Sequence, residues 1–395
     1  MFEHIVLRRA EGGLPISVGQ IAEALLYYQK VHLFVDRGTL FELIRKIGTN
    51  GLQTLLRRPE LSAVYCEEML GVRTESVGVS QCHDYVAFTL AGHKDIGDLK
   101  TPQDRLQYEI ERQGTLKPEA KKFCKIFFGL VPVRKFSGNH FIDGGIPDAA
   151  RSDLLDKEFT KQAICQAIAT IPGGYVTGPE FNFEVVRSEL GLFVFTNLDI
   201  NSINQRRAQV VPPVEPLTIA HLLSNVLDAR ADLALASFYG GDFVTSTVNS
   251  SIIQVRHTEL LRRSKLNVDS RQQFTEVVLP DSPCLAEVID SGERSFDDFL
   301  RLLDRATRFK DWLKAVNPDE DLIRTYLRDV SSEEWIKRLP AKSLRYMLTL
   351  ALDQTNPTLG FASGFVDNFI VEKLFAGWRP NHFISSRLSP FVSGH

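Results

Sequence analysis

Hydrophobic positions recur with two different spacings along this chain of 395 residues. In the first half, the short apolar runs Ile5–Arg9, Val31–Val35 and Ser62–Cys66 indicate strands. The segments between these runs carry apolar residues three and four apart, which is typical of amphipathic helices. Because strands alternate with helices, the pattern predicts a mixed α/β domain with a partly parallel sheet and helices packed against it.

Capping sequences mark where the first helices start. Ser17–Gln20 has the form of a capping box, in which a serine side chain and a glutamine side chain satisfy free amides of the first turn. Thr39–Glu42 has the same form and predicts a helix that starts there and ends at Gly48. A further helix is predicted over Gly51–Arg58.

The rest of the first half continues the alternation. Pro102 and Pro118 each suit the first position of a helix, where a missing amide costs nothing. Two late apolar runs look like a pair of strands. The predicted strands are Tyr85–Leu90, Phe181–Arg187 and Leu192–Thr196. Helices are predicted over Pro102–Arg112 and Pro118–Phe128, and one or two helices over Asp153–Thr170.

The second half carries almost only the helical spacing. After Ser295, a candidate N-cap, apolar residues recur at steps of three and four as far as Val316, which predicts one helix of about six turns. Short connections marked by proline favour packed antiparallel neighbours. The other predicted helices are Thr218–Phe238, Thr247–Arg263, Pro318–Leu327, Ser332–Leu339, Ala341–Leu352 and Pro357–Ala376.

The two spacing patterns of hydrophobic residues meet at Val210–Leu217, a stretch that contains three prolines. Proline fixes φ and lacks an amide donor, so neither a helix nor a central strand can run through this stretch. We interpret it as a linker. The sequence therefore predicts an α/β domain over residues 1–210 and an all-helical domain over residues 217–395.

Charge and cysteine content narrow the class of protein. The formal net charge is −3, and residues 1–210 carry 25 Lys and Arg against 25 Asp and Glu, so composition alone does not indicate a nucleic-acid binder. The five cysteines show no zinc-type spacing and are interpreted as reduced thiols of a cytoplasmic protein: Cys66, Cys82, Cys124, Cys165 and Cys284.

Three aspartates each follow an apolar run: Asp36, Asp143 and Asp199. Because the carboxyl ends of parallel strands meet at one edge of a sheet, these side chains are weak candidates for a catalytic site. Together they could hold Mg²⁺ and hydrolyse phosphodiesters with two metal ions. The simpler interpretation is that they are ordinary residues at strand exits and helix starts. No other cofactor is predicted, and the sequence leaves any metal site open.

Two basic clusters are candidates for binding anions. Lys117, Lys121, Lys122 and Lys125 share one helix face, and Arg262 and Arg263 follow Arg256 and His257 near the end of another predicted helix. Solvated helix faces have this composition by default. If nucleic acid binds there, the contacts are expected to be to its phosphate backbone rather than to bases.

Small residues and phenylalanines mix in the last predicted helix, which contains Gly360, Gly364 and Phe369. Such a helix packs closely against a neighbour, and the same composition also suits helices in a bilayer. Asp367 and Lys373 oppose membrane insertion because charges are costly in a bilayer core. No constitutive membrane insertion is therefore expected.

No nucleotide-binding or serine-nucleophile motif is present in the sequence. The sequence does not decide whether the protein is an enzyme, and it favours a non-enzymatic role. The leading hypothesis is an interaction subunit with a protein partner, in a prokaryotic multi-protein system, with stress or phage defence as a guess at the pathway. The alternatives are a metal-dependent nuclease or phosphodiesterase that uses the three aspartates, and a membrane-acting effector that uses the C-terminal helices.

Overall fold

The computed structural model describes residues 2–9, 13–89, 99–279, 282–317, 322–323, 325–326 and 378–394. As predicted, an N-terminal α/β region with a parallel sheet is followed by a chain that is mainly helical. The helices predicted over Ser332–Leu339, Ala341–Leu352 and Pro357–Ala376 lie outside the described residues. Within the part that is described, no helix is both long and apolar enough to cross a membrane.

The chain groups into two compact units, which we call the sheet unit and the helical unit. The sheet unit comprises His4–Ile16 and His32–Arg263. The helical unit comprises Met1–Glu3, Ser17–Val31 and Ser264–His395.

The described strands all belong to two sheets. The strands are β1 (His4–Leu7), β2 (Lys30–Val35), β3 (Leu61–Tyr65), β4 (Glu68–Val77), β5 (Ser80–Thr89), β6 (Phe183–Ser188), β7 (Gly191–Thr196) and β8 (Asp242–Phe243). The first sheet has the order β3-β2-β1-β8, and Ile5 of β1 pairs in parallel with Asp242 of β8. The second sheet has the order β4-β5-β7-β6 and is antiparallel.

The described helices vary greatly in length. They are α1 (Val18–Tyr27), α2 (Arg37–Leu56), α3 (Pro102–Arg112), α4 (Lys117–Leu130), α5 (Ile146–Leu155), α6 (Lys157–Thr170), α7 (Ile200–Arg207), α8 (Ile219–Tyr239), α9 (Thr247–Val278), α10 (Leu285–Asp290), α11 (Phe296–Asp304), α12 (Thr307–Ala315), α13 (Pro380–Phe383), a short π-helix (Ile384–Leu388) and α14 (Ser389–Ser393).

The core of the sheet unit extends past the predicted boundary. Helix α8 buries Leu222, Leu223 and Leu227, and these side chains belong to the same apolar cluster as Tyr85 of the second sheet. The predicted division at Val210–Leu217 therefore differs from the observed units. The physical reason is that α8 carries an apolar stripe that is buried against the strands before it.

The proline-rich stretch itself is fastened at its C-terminal end. The guanidinium of Arg207 donates to the carbonyl oxygen of Glu215 (2.6 and 3.0 Å) and to that of Pro172 (2.9 Å). The side-chain amide of Asn204 donates to the carbonyl oxygen of Leu217 (3.0 Å) and accepts from its backbone amide (2.6 Å). The stretch is a surface connection, with Val211 90% exposed, that is tied to the helix before it.

A buried ion group connects β1 to α8 inside the sheet unit. Arg8, just past β1, donates to Oδ1 of Asp232 through Nε (3.1 Å) and Nη2 (2.8 Å), and to Oδ1 of Asp228 (2.9 Å). Asp232 also accepts from the hydroxyl of Thr245 (2.8 Å). All three charged side chains are less than a tenth exposed, so the carboxylates depend on these bonds for their stability in the core.

In the helical unit, α1 packs very closely on α10. The hydroxyl of Ser17 and the amide of Gly19 both donate to the carboxylate of Asp290, at 2.6 and 2.8 Å. A Cβ on Gly19 would lie 2.2 Å from the carbonyl oxygen of Ala286. The predicted capping box at Ser17–Gln20 is confirmed, and the glycine inside it is required by this close approach.

Two predicted helices are wrong in their bounds. Helix α2 starts at Arg37 with Asp36 as its N-cap, before the predicted start at Thr39. Gly48, where the helix was predicted to end, interrupts it with non-helical torsion angles (φ 66°, ψ 172°). The predicted six-turn helix after Ser295 breaks at Arg305 and Ala306 into α11 and α12. Both pieces keep their apolar sides buried, so the spacing predicted the buried side correctly and missed the break.

Candidate ligand-binding site

A polar site of the sheet unit lies at the carboxyl ends of its first three strands. A cavity of about 230 Å³ opens there. Arg9 lies two residues past β1, Asp36 directly follows β2, and Tyr65 is the last residue of β3. In open α/β sheets ligands bind at this edge, which makes the cavity the candidate site. We call it the strand-end pocket. Its lining residues are Arg9, Asp36, Arg37, Gly38, Tyr65, Glu67, Met69, Thr89, Arg105, Leu106 and Glu109.

Asp36 acts as a helix cap at the rim of this pocket. Its Oδ1 accepts from the backbone amide of Thr39 at 2.6 Å, which satisfies one of the free amides of the first turn of α2. Its Oδ2 lies 3.3 Å from Nη1 of Arg9. Both oxygens are therefore engaged within the protein.

Arg9 lies against the first turn of α2. Its Nε donates to the carbonyl oxygen of Gly13 at 2.6 Å, and its Nη1 donates to Asp36. A Cβ on Gly38 would lie 2.7 Å from the same Nη1. The guanidinium therefore occupies space that exists because residue 38 is a glycine, and 31% of its side chain stays exposed.

Arg37 is the first residue of α2 and the most exposed arginine of the pocket. Its Nη1 donates to Oε1 of Glu109 at 3.3 Å, and its side chain is 41% exposed. Glu109 also lies 3.8 Å from Arg112. Most of the N–H donors of Arg37 have no partner among the described residues, since a guanidinium carries several.

Arg105 forms the most buried ion pair of the pocket. It donates to Glu67 through Nη2 (2.6 Å) and Nε (3.3 Å), and to the carbonyl oxygen of Leu99 (2.8 Å). The hydrogen bond to Glu67 raises the pKa of Arg105, which stays protonated. A bidentate pair of this kind is geometrically rigid, so it forms a fixed wall of the pocket.

Tyr65 supplies a hydroxyl at the inner end. Its backbone is fixed on both sides, because its amide donates to Pro132 and its carbonyl accepts from Arg134, each at 2.9 Å. Its ring packs edge-on against Phe127 and Phe128, with centroids 5.6 and 5.5 Å away. Burial, followed by the charge of Glu67, raises the pKa of Tyr65, so the hydroxyl is a proton donor at neutral pH.

The hydroxyl of Tyr65 has no hydrogen-bond partner among the described residues, although the residue is only 1% exposed. It lies close enough to Glu67, Arg37 and Asp36 for their charges to act on its pKa, and all of these residues line the cavity. It is also not one of the polar atoms that are sealed in the core. A buried hydroxyl that faces a cavity without a partner is uncommon in folded proteins.

The strand-end pocket has balanced formal charges but more free hydrogen-bond donors than free acceptors. Three arginines face three carboxylates, so the formal charges balance. Their hydrogen bonds do not balance. Asp36 and Glu67 already accept bonds at both oxygens and only Glu109 keeps an oxygen free of partners among the described residues, while Arg9, Arg37 and Tyr65 have donors to spare. The pocket is therefore rich in donors, and Met69 and Leu106 provide an apolar wall.

The structure does not bring the three predicted aspartates to one site. Only Asp36 lines the strand-end pocket. Asp199 follows β7 of the second sheet and caps α7 through the amide of Ser202 at 3.0 Å, and Asp143 lies in the loop before α5. In the described part of the chain, no group of three or more His, Cys, Asp or Glu side chains could hold a metal ion.

The predicted basic clusters have different outcomes. The opposite side of α4 is buried through Phe123 and Phe127. Its four lysines are all exposed: Lys117, Lys121, Lys122 and Lys125. The second helix is interrupted at His257 and then continues to Val278, so Arg262 and Arg263 do not end it. The side chain of Arg263 lies outside the described part. Arg256 is engaged by Asp153 and Asp156 and lies over the ring of Phe159.

Sequence reasoning found one residue of the strand-end pocket and missed the others. Arg9 and Tyr65 end apolar runs just as Asp36 does, so a search for polar residues of any charge at strand ends would have included them. Arg105 and Glu67 gave no such signal. The chemistry of the pocket is the basis for assigning a function, because comparison of this chain with models of protein families, with curated proteins and with solved structures finds no match.

Proposed function

We propose that the sheet unit is a binding domain for a small ligand that carries a carboxylate or phosphate group. The observation that supports this proposal most directly is the surplus of donors on Arg9 and Arg37 at the carboxyl edge of the parallel sheet. Arginine N–H groups with free positions match the oxygens of such anions in pairs. The role is binding rather than catalysis, in agreement with the non-enzymatic hypothesis from the sequence.

The location of the pocket supports an anion for a second reason. Arg37 and Gly38 are the first two residues of α2, where backbone amides have no partner within the helix and the helix dipole favours negative charge. Asp36 caps the amide of Thr39 and leaves the backbone amides of Arg37 and Gly38 available to a ligand. An anion at this place would accept from backbone and arginine donors together.

The test is saturable binding that depends on Arg37. We expect calorimetry to detect binding of at least one member of a small series, made of inorganic phosphate, propyl phosphate, glycerol 3-phosphate, pentanoate and 4-oxopentanoate. Arg37→Gln should weaken that binding at least tenfold, since a charge-assisted hydrogen bond contributes about 1.5–3 kcal/mol. Arg45→Gln is the matched control, because Arg45 lies on the same helix and pairs only with Glu42 at the surface. Equal binding by both variants would contradict the proposal.

The interaction role predicted from the sequence is a second proposal, and the second sheet supports it. Helices α5, α6 and α8 pack against one face of this sheet. On the opposite face Phe195 is 57% and Val186 is 42% exposed, on neighbouring strands. Exposed apolar residues that cluster in this way are typical of protein interfaces. Light scattering after size-exclusion chromatography should show an assembly that Phe195→Glu disrupts without a change in melting temperature.

The other predictions from the sequence remain proposals. The exposed lysines of α4 would bind a phosphate backbone, with an affinity that falls steeply with salt. Cytoplasmic location and a place in a prokaryotic multi-protein system have no structural support. The nuclease alternative, with Mg²⁺ held by Asp36, Asp143 and Asp199, has no metal-binding group among the described residues to support it. The membrane-acting alternative rests on helices outside those residues.

A further inference from the structure

The hydroxyl of Tyr65 places a requirement on the ligand that the arginines of the strand-end pocket do not. This inference rests on the proposed binding function and specifies its ligand. The hydroxyl is a donor, faces the cavity and has no partner among the described residues. An unsatisfied donor at this depth costs stability unless water or a ligand accepts its hydrogen.

The position of this donor is fixed by the fold. The amide and the carbonyl of Tyr65 are both bonded to the segment around Val133, and two phenylalanine edges hold its ring. The hydroxyl therefore cannot move to a partner elsewhere without unpacking the ring. Its counterpart in the same unit, Tyr85, is equally buried but donates to the carbonyl oxygen of Leu223 at 2.7 Å.

We propose that Tyr65 is the specificity-determining residue of the strand-end pocket, and that the ligand carries a neutral oxygen or nitrogen acceptor in addition to its anionic group. The anionic group lies at Arg9 and Arg37, at the open end. The second acceptor lies at the inner end and receives the hydrogen of Tyr65. The carbon skeleton between them packs along Met69 and Leu106.

Two pairs of probes test this assignment, and each pair differs by one kind of acceptor. Pentanoate and 4-oxopentanoate differ by a ketone, and propyl phosphate and glycerol 3-phosphate differ by two hydroxyls. The two pairs also separate a carboxylate ligand from a phosphate ligand. We expect the acceptor-bearing member of one pair to bind the wild-type protein about five- to tenfold more tightly, which corresponds to one net hydrogen bond.

The decisive variant is Tyr65→Phe, which should remove that difference. The affinity for the member without the acceptor should stay unchanged, because the ring stays in place. The melting temperature should stay the same or rise, since the lost hydroxyl makes no bond in the free protein. Tyr85→Phe is the matched control, and it should lower the melting temperature while leaving the preference for the acceptor intact.

The outcomes separate this inference from the proposed function. Binding that depends on Arg37 but is equal in wild type and Tyr65→Phe would overturn the role of Tyr65 alone. A loss of several degrees in the melting temperature of Tyr65→Phe would show that the hydroxyl is structural, and would also overturn it. If no probe binds with dependence on Arg37, both the proposed function and this inference fail.

Discussion

A Cβ on Gly38 would lie 2.7 Å from Nη1 of Arg9, so the glycine and the guanidinium occupy adjoining space at the first turn of α2. The contact joins a residue that follows β1 to a residue that follows β2. It shapes the open end of the strand-end pocket without a hydrogen bond. Substitution of this glycine can therefore disturb the pocket while the helix remains intact.

Gly38→Ala should weaken anion binding several-fold and leave the protein at least as stable. Alanine is favoured over glycine in helices by up to about 1 kcal/mol, and the clash is relieved when the flexible end of Arg9 moves away. Calorimetry with the best-binding probe and thermal melting measure the two effects. Gly129→Ala in α4 is the control, because a Cβ there meets nothing within 4 Å. A loss of stability without a loss of binding would contradict this account.

Arg8→Met should cost about 3–5 kcal/mol in the free energy of unfolding, because it removes the cation that binds two buried carboxylates. The loss should be smaller at pH 5 than at pH 7. Burial raises the pKa of Asp232 above its usual 3.8, and the charge of Arg8 opposes this rise. Without Arg8 the pKa rises further, so the folded variant takes up a proton as the pH falls and its stability relative to wild type recovers.

Urea unfolding at the two pH values measures this difference. Arg8→Lys is the comparison, because lysine keeps the charge but presents no fork of donors to reach both carboxylates. We expect its loss to be intermediate and to depend less on pH. An equal loss for Arg8→Met at both pH values would show that Asp232 stays ionised without its arginine.

Gly19→Ala should destabilise the helical unit by about 1–3 kcal/mol, the usual cost of overpacking. The new methyl group would meet the backbone oxygen of Ala286 at 2.2 Å, and backbone cannot move aside as a side chain can. Chemical denaturation measures the change, with Gly129→Ala again as the control. Equal stability of the two variants would mean that α1 and α10 can separate without cost.

Limited proteolysis tests the proline-rich stretch at Val210–Leu217. Its exposed residues, such as Val211, should be cut. We expect the two products to stay together under native conditions, because α8 belongs to the core of the sheet unit. Size-exclusion chromatography of the nicked protein should give one peak. Arg207→Ala should speed the cut by releasing Glu215, and separation into two folded fragments would support the division predicted from the sequence instead.

Local signals in the sequence predicted local structure well and the site poorly. The capping box at Ser17 is confirmed because its two bonds lie within four residues. The box at Thr39 is wrong because Asp36, three residues earlier, is also a good cap, and the hydroxyl of Thr39 instead accepts from the amide of Ile16 at 3.3 Å. Nothing within a short window decides between two such residues.

The strand-end pocket could not be predicted because it depends on strand order. Arg9, Asp36 and Tyr65 end three different strands, and they meet only because β1, β2 and β3 are neighbours in one sheet. Arg105 and Glu67 lie on segments whose position relative to the sheet cannot be predicted from the spacing of apolar residues. Strand β4 itself was missed, since its polar end around Arg73 does not resemble a buried strand.

The pairing of β1 with β8 restricts the order in which this protein can be assembled on the ribosome. Ile5 emerges from the ribosome long before its partner Asp242, which lies near the end of the sheet unit. Closing so long a loop is entropically costly and slow. The nascent chain must therefore keep one edge of β1 unpaired until β8 has been synthesised. This exposed edge is the place where a chaperone, or another copy of the chain, would first compete with the native fold.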